Sequence, residues 1–405
     1  MPIARAVKDA LGSSSLIRKM FEEGSQLKKQ YGADKVFDFS IGNPDLEPPP
    51  AFHRVFLKFA QDDAAGKSRG SHGYMPNSGY PGVREKLAQK ASREQNAALD
   101  GSHIIMTVGA AGGLNVVLKS ILNPGDEVIV SRPYFMEYRA YIANHGGRLV
   151  EVAALPDFNL DLAGIGAALT DKTAAVLINS PHNPTGRVYP AATIAALADL
   201  LRAHGKTSGR VPYLVADEPY REIVYNRIEV PPILSAYEAS LVVTSYSKSL
   251  SLPGERIGYI AVSPAIEQKA DVLAALTYAT RVLGYVNAPA LMQRIVAELT
   301  EARVDVGVYA RRKDAFKKVL DDAGISYVEP EGAFYLFVRV PPKKGDRANA
   351  AGDDAAFVDH LKQRLILGVA GSGFGTPGWV RFAYCVDEAI IRASAGAFKH
   401  AMETW

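Results

Sequence analysis

The chain has 405 residues, 48% of them hydrophobic, which is material for two domains or for one large domain with a smaller partner. Its 46 Lys and Arg face 43 Asp and Glu, and the basic residues are scattered, not striped, which excludes a nucleic-acid footprint. No apolar run approaches the ~20 residues of a membrane span, and the N-terminal stretch with Arg5, Lys8, Asp9 and a Gly-Ser-Ser-Ser turn lacks the apolar core of a secretion signal. The single cysteine, Cys385, lies beside Phe382 and Tyr384 and cannot close an intramolecular disulfide; a buried inert thiol in a reducing, cytoplasmic compartment is expected.

From about residue 103 to 263, short apolar runs alternate with helix-period segments. The runs are His103–Thr107, Glu127–Ser131, Arg148–Val152, Ala174–Asn179, Tyr213–Ala216, Leu241–Thr244 and Ile257–Val262. The alternation predicts an α/β fold with a mostly parallel sheet covered by helices. Successive strands end in residues of complementary chemistry. The first is followed by Gly109-Ala110-Ala111-Gly112-Gly113, opening a helix from Leu114 to Leu122, where free N–H groups approached past small residues make an anion site; alone, such a start is usually a tight turn. The second leads into Pro133-Tyr134-Phe135, an aromatic that could stack on a ring or simply fill the core. The fourth ends at Pro181-His182-Asn183-Pro184-Thr185-Gly186, in isolation a turn sequence. The fifth ends at Asp217-Glu218-Pro219-Tyr220, a carboxylate that elsewhere would read as a helix cap.

The sixth run delivers the most telling segment, Ser245-Tyr246-Ser247-Lys248-Ser249-Leu250-Ser251-Leu252-Pro253-Gly254-Glu255-Arg256-Ile257-Gly258. A lysine just past a strand end can reach a bound carbonyl, Ser245 and Arg256 can grip a phosphate, and Gly254 and Gly258 let the backbone turn close to the ligand. Together they suggest a Schiff base from Lys248 to pyridoxal 5'-phosphate. Beyond Val262 the pattern is helical over Ala265–Ala279 and from Pro289 to about Ala323, then strand Ala333–Val340, helix Ala355–Leu365 and strand Trp379–Ala383. The stretch from Pro341-Pro342-Lys343-Lys344-Gly345 to Gly352 reads as an exposed loop. Arg381 is a charge inside an apolar strand and needs a partner, either a structural salt bridge or a ligand carboxylate held in a two-pronged fork. The expected division is a large domain at 50–294 and a smaller α+β domain from 1–49 plus 295–405, able to close over the site.

With these motifs the chain resembles the class I/II pyridoxal-phosphate aminotransferases of fold type I, the aspartate aminotransferase superfamily. Residues 245–258 satisfy that family's attachment pattern at every constrained position, and matches from Gly42 to Arg381 run in the family's order. The resemblance implies a ping-pong aminotransferase in which an amino acid and a 2-oxo acid are the partners and Lys248 is both anchor and proton carrier. It implies phosphate contacts through Ala110, Ala111, Ser245 and Arg256, stacking by Phe135, and a ring-nitrogen carboxylate at Asp217. Asn183 and Tyr220 then meet the phenolate oxygen, while Gly42, Asn183 and Arg381 surround the substrate carboxylate. Tyr74 would cross a homodimer interface to the neighbour's phosphate. No metal, nucleic acid or membrane is implied. A C–S β-lyase, synthase or decarboxylase of the same fold uses the same lysine and ring contacts and stays open; a ligand-sensing domain fused to a DNA-binding unit does not fit, since the enzyme pattern begins almost at the first residue. Family members specific for dicarboxylates use a second arginine from the partner subunit. Arg281 is one residue out of register with it and reads as an exposed helix-end charge before a substrate-reading one, leaving aspartate, aromatic, alanine-like and branched donors open.

Overall fold

The computed structural model describes residues 3–4, 7–8, 16–343 and 352–405. The Gly-Ser-Ser-Ser turn and most of the loop expected between Pro341 and Gly352 lie outside the described residues.

The strands are β1 (Phe37–Asp38), β2 (Ile104–Thr107), β3 (Glu127–Arg132), β4 (Arg148–Ala153), β5 (Thr173–Asn179), β6 (Tyr213–Asp217), β7 (Ser240–Ser245), β8 (Gly258–Val262), β9 (Tyr335–Arg339), β10 (Ile366–Leu367), β11 (Val369–Ala370) and β12 (Trp379–Ala383). Seven of them form one sheet in the order β2-β8-β7-β6-β5-β3-β4. Only β8 runs against its neighbours. All residues of β2, β5 and β8 are buried, because helices cover both faces and every side chain meets one of them. Alternation then divides the core: Ile104, Val176, Leu214 and Val242 pack on one side, Ile105, Leu177, Val215 and Val243 on the other. Because β2, β3, β5, β6 and β7 point the same way, the residues following them collect along a single edge of the sheet.

A second, antiparallel sheet has the order β11-β12-β9, with Arg381 opposite Phe337 on one side and Val369 on the other. Its core is a cluster of aromatic rings that includes Phe39, Phe316, Phe334, Phe382 and Phe398. The two chain ends meet here. β1 pairs with β10, and Ala383 N–H donates to the Phe39 carbonyl at 2.8 Å, so the segment 40–42 is laid alongside Arg381. No helix among the described residues is long and apolar enough to cross a membrane.

The expected elements differ from these mainly at their ends, with one exception. The helical stretch expected from Pro289 to Ala323 is two helices, Ala290–Ala297 and Val306–Asp322. Between them Val304 N–H is drawn to the Ser249 carbonyl at 2.8 Å, and Asp305 caps the second helix through Gly307 N–H. A tertiary hydrogen bond and a local cap thus override a continuous apolar period. The helix placed at Leu114–Leu122 begins at Gly109 and ends at Ile121, and the one placed at Ala265–Ala279 runs over Lys269–Val282.

Candidate active site

A cavity of about 310 Å³ opens at that sheet edge, and Ile41, Gly42, Tyr335 and Arg381 line it as well. Lys248 reaches it from the short helix Tyr246–Ser249 that follows β7, and its Nζ donates to the Gly42 carbonyl at 2.7 Å. Burial, reinforced by the positive charges of Arg381 and Arg256, lowers the ammonium's pKa to about 8. An amine so perturbed is still mostly protonated at pH 7, but its neutral fraction, about a tenth, is far above that of an ordinary lysine and able to attack a carbonyl.

Asp217 ends β6 in the cavity wall. Its Oδ2 accepts a 2.6 Å hydrogen bond from the Tyr138 hydroxyl, whereas Oδ1 is buried with no hydrogen-bond partner. Burial raises the carboxyl's pKa to about 7, against the opposing hydrogen bond from Tyr138. A cationic donor set against Oδ1 would satisfy that oxygen and return the group to its ionised form. Asn179 braces the same wall: its Nδ2 donates to the Asp217 carbonyl and its Oδ1 accepts from Asn183 N–H, both at 2.7 Å. Tyr220 is buried, its hydroxyl 2.7 Å from that of Tyr335.

Arg381 is only 2% exposed, yet no described carboxylate pairs with it, which rules out the structural salt bridge. Nη1 donates to Asn183 Oδ1 at 3.0 Å and Nη2 to the Ser40 carbonyl at 2.6 Å, while Nε has no partner. The guanidinium lies 4.6 Å from the Tyr335 ring centroid and 4.9 Å from that of Phe374. It is a buried cation held by neutral groups, and an incoming carboxylate would complete it.

At the other end of the cavity, the helix Gly109–Ile121 presents its N-terminus, with Ala110 and Ala111 in the wall and no side chain capping the first turn. Gly109 has φ +68°, which favours glycine, and the missing side chain lets the Arg256 guanidinium lie against this turn, its Nη2 2.8 Å from where a Cβ would stand. Arg256 is itself left-handed, at φ 51°, and is steadied by Nη1 donating to the Pro253 carbonyl at 2.9 Å. Gly258 has a different role from the expected one. A Cβ there would overlap the Thr244 carbonyl and crowd Gly109, so its smallness brings β8 against β7 and the helix turn rather than admitting a ligand. Nothing lies within 4 Å of where a Gly254 Cβ would stand and its φ is not positive, so the backbone turn expected of it does not require glycine. Ser245 lines the cavity, and Phe135 joins the wall with its ring edge-on to Tyr138 at 5.6 Å.

Of the residues singled out in the sequence, Gly42, Ala110, Ala111, Phe135, Asn183, Asp217, Tyr220, Ser245, Lys248, Arg256 and Arg381 share this one cavity. Tyr74 is 94% exposed and outside it, and Arg281 is exposed in the last turn of its helix, also outside it. Sequence reasoning missed Tyr138, Asn179, Ser247, Tyr335 and the Ser40 carbonyl. A signal existed for two of them: Asn179 is the last residue of a predicted strand, and Ser247 adjoins Lys248. Cys385 is fully buried, and burial pushes its thiol up to about 12, as expected of an inert packing residue.

Residues 34–398 match the family model described as "Aminotransferase class I and II". An aspartate/prephenate aminotransferase of Thermus thermophilus is 33% identical over 92% of both chains, and an aspartate aminotransferase of Geobacillus stearothermophilus is 30% identical over 100% of this chain and 99% of its own. Among solved structures, an amino transferase from Eubacterium rectale superposes with a TM-score of 0.92 at 37% identity, covering 100% of this chain and 99% of its own. The Thermus thermophilus aspartate aminotransferase with maleate gives 0.86 at 28% identity, covering 99% and 100%. The chain belongs to the class I and II aminotransferases and is an enzyme that transfers amino groups.

Proposed function

We propose that the cavity holds pyridoxal 5'-phosphate and that the enzyme moves an amino group from an amino acid to a 2-oxo acid in two half-reactions. The observation that carries this reading is the unpartnered Asp217 Oδ1, buried in the wall of the cavity that Lys248 enters. When bound, the cofactor supplies an electron-withdrawing ring that stabilises negative charge at the amino acid's Cα. Asp217 Oδ1 would hold a proton on the ring nitrogen, while Tyr138 fixes Oδ2. Asn183 and Tyr220 would face the phenolic oxygen, and Phe135 would lie against the ring. Phosphate would be gripped by the first-turn N–H groups at Ala110 and Ala111, by Ser245 and Ser247, and by Arg256. Arg381 takes the α-carboxylate, with Gly42 beside it. Lys248 Nζ, once free, would take the proton from the amino acid's Cα and give one back to the Cα formed in the reverse half-reaction; its pKa of about 8 suits it to both directions.

A large domain at 50–294 and a smaller one from 1–49 and 295–405 are part of this reading; the seven-stranded sheet and the sheet β11-β12-β9 with their different cores support two domains, although Ile295, Val296, Ala297 and Leu299 pack in the core of the first. So is a homodimer in which the exposed Tyr74 reaches the neighbour's phosphate. A cytoplasmic location is supported by the free buried thiol. The test is reduction of the yellow holoenzyme with borohydride followed by peptide mapping. An adduct on Lys248 is expected, and an adduct on any other lysine overturns the assignment.

A further inference from the structure

From Ser40 to Pro49 the chain forms neither helix nor strand, yet its carbonyls meet two of the cavity's cations. Arg381 Nη2 donates to the Ser40 carbonyl at 2.6 Å and Lys248 Nζ to that of Gly42 at 2.7 Å. A segment without a ladder of its own has to be held by side chains. One tie comes from the lysine-bearing turn, where Ser251 Oγ donates to the Leu46 carbonyl. Another comes from the helix Val306–Asp322, on which Tyr309, Arg312 and Phe316, three and four residues apart, share the buried face. Arg312 is 6% exposed and sends both arms to Asp45: Nη1 donates to Oδ1 at 2.5 Å and Nη2 to Oδ2 at 2.9 Å. A two-pronged fork of this kind fixes orientation as well as distance. Asp45 is three residues past Gly42, no more than about 11 Å of chain. Gly42 in turn has no slack, since a Cβ there would overlap the Tyr335 hydroxyl.

We infer that Arg312 and Asp45 are positioning residues for the transfer reaction. Their fork holds the strap 40–46 so that the Ser40 carbonyl keeps Arg381 aimed at the α-carboxylate and the Gly42 carbonyl stays at Lys248. The inference rests on the pyridoxal phosphate reading of this cavity. Neither residue is among those lining the cavity, so both act through the strap. With the fork gone, Arg381 loses one of its two holders and the carboxylate of every substrate is held less well, in the ground state and in the transition state alike. Such a loss raises KM and leaves kcat nearly unchanged.

The experiment compares the holoenzymes of the wild type, Asp45→Asn, Arg312→Lys and the double variant. Asparagine keeps the shape and lysine keeps the charge, but neither rebuilds the fork. Calorimetric titration with 3-phenylpropanoate, an unreactive carboxylate, gives Kd, and steady-state kinetics with those of alanine, phenylalanine and aspartate that the wild type accepts give KM and kcat. We expect Kd and KM to rise at least about tenfold in each single variant, by a similar factor for every donor, with kcat changed less than about threefold. The double variant should be no worse than the more severe single, because one fork is lost only once. Wild-type Kd and KM overturn the inference even if the melting temperature falls, since the fork then serves only the fold; so does a fall in kcat at constant KM, or losses that multiply in the double variant. Failure of the underlying reading looks different: no donor changes the absorbance of the wild type and borohydride leaves Lys248 unlabelled.

Discussion

Replacing Asp217 by Asn isolates the electrostatics of the cavity floor. Without a cationic partner, burial raises this carboxyl from its ordinary 3.8 to about 7. A raised folded-state value means that the native protein holds a proton the unfolded chain has already lost. Stability is therefore unaffected below pH 3.8, falls as pH rises through the interval, and is fully reduced above about pH 7. At about 1.4 kcal/mol per pH unit the whole interval corresponds to about 4 kcal/mol, an upper figure. Asn keeps the shape and can accept from Tyr138, but does not titrate. The cofactor-free Asp217→Asn protein should thus gain on the wild type between pH 5 and 7.5, by about 2 to 3 kcal/mol, read by thermal or urea denaturation at matched pH. With cofactor bound the order should reverse, because the wild-type carboxylate then faces a positively charged ring nitrogen and Asn does not. Turnover of the variant should fall steeply. Parallel stability curves for the two cofactor-free proteins across this range would refute the assignment of Asp217 as a buried group awaiting a cation.

Three further outcomes follow from the same geometry. Arg381→Lys retains charge but loses the fork, and the loss of a charge-assisted hydrogen bond, about 1.5 to 3 kcal/mol, should lower kcat/KM about ten- to a hundredfold for every donor and acceptor alike; an effect confined to one side-chain class would show that Arg381 reads side chains. Capture of added pyridoxal phosphate by cofactor-free enzyme, followed by stopped-flow absorbance, should quicken with pH around a midpoint of about 8, and a midpoint near the ordinary 10.5 would contradict a buried amine. Gly42→Ala should impair substrate and inhibitor binding, since its Cβ would overlap the Tyr335 hydroxyl, and adding Tyr335→Phe should recover part of the loss; no recovery would indicate that the clash lies elsewhere.

Much of this enzyme is legible in its sequence because the signals are local. Continuous β-branched runs identify strands buried on both faces, and each functional residue at the sheet edge lies within a few positions of a strand end, which is why Lys248, Asp217 and Asn183 could be placed together before any coordinates. Other features depend on contacts between distant segments. Tyr138 looks like a core aromatic until the fold brings its hydroxyl to Asp217, 79 residues on. Arg381 in an apolar strand is equally consistent with a salt bridge, and only the arrival of Ser40 and Asn183, 341 and 198 residues away, makes it a buried cation without a carboxylate. The break after Ala297 arises from a hydrogen bond between Val304 and Ser249, which no helical period encodes. The sequence by itself determined the strand order of chemistry along the chain. The tertiary structure alone decided which polar groups were left without partners, because hydrogen-bond satisfaction is a property of the packed three-dimensional arrangement and not of residue identity.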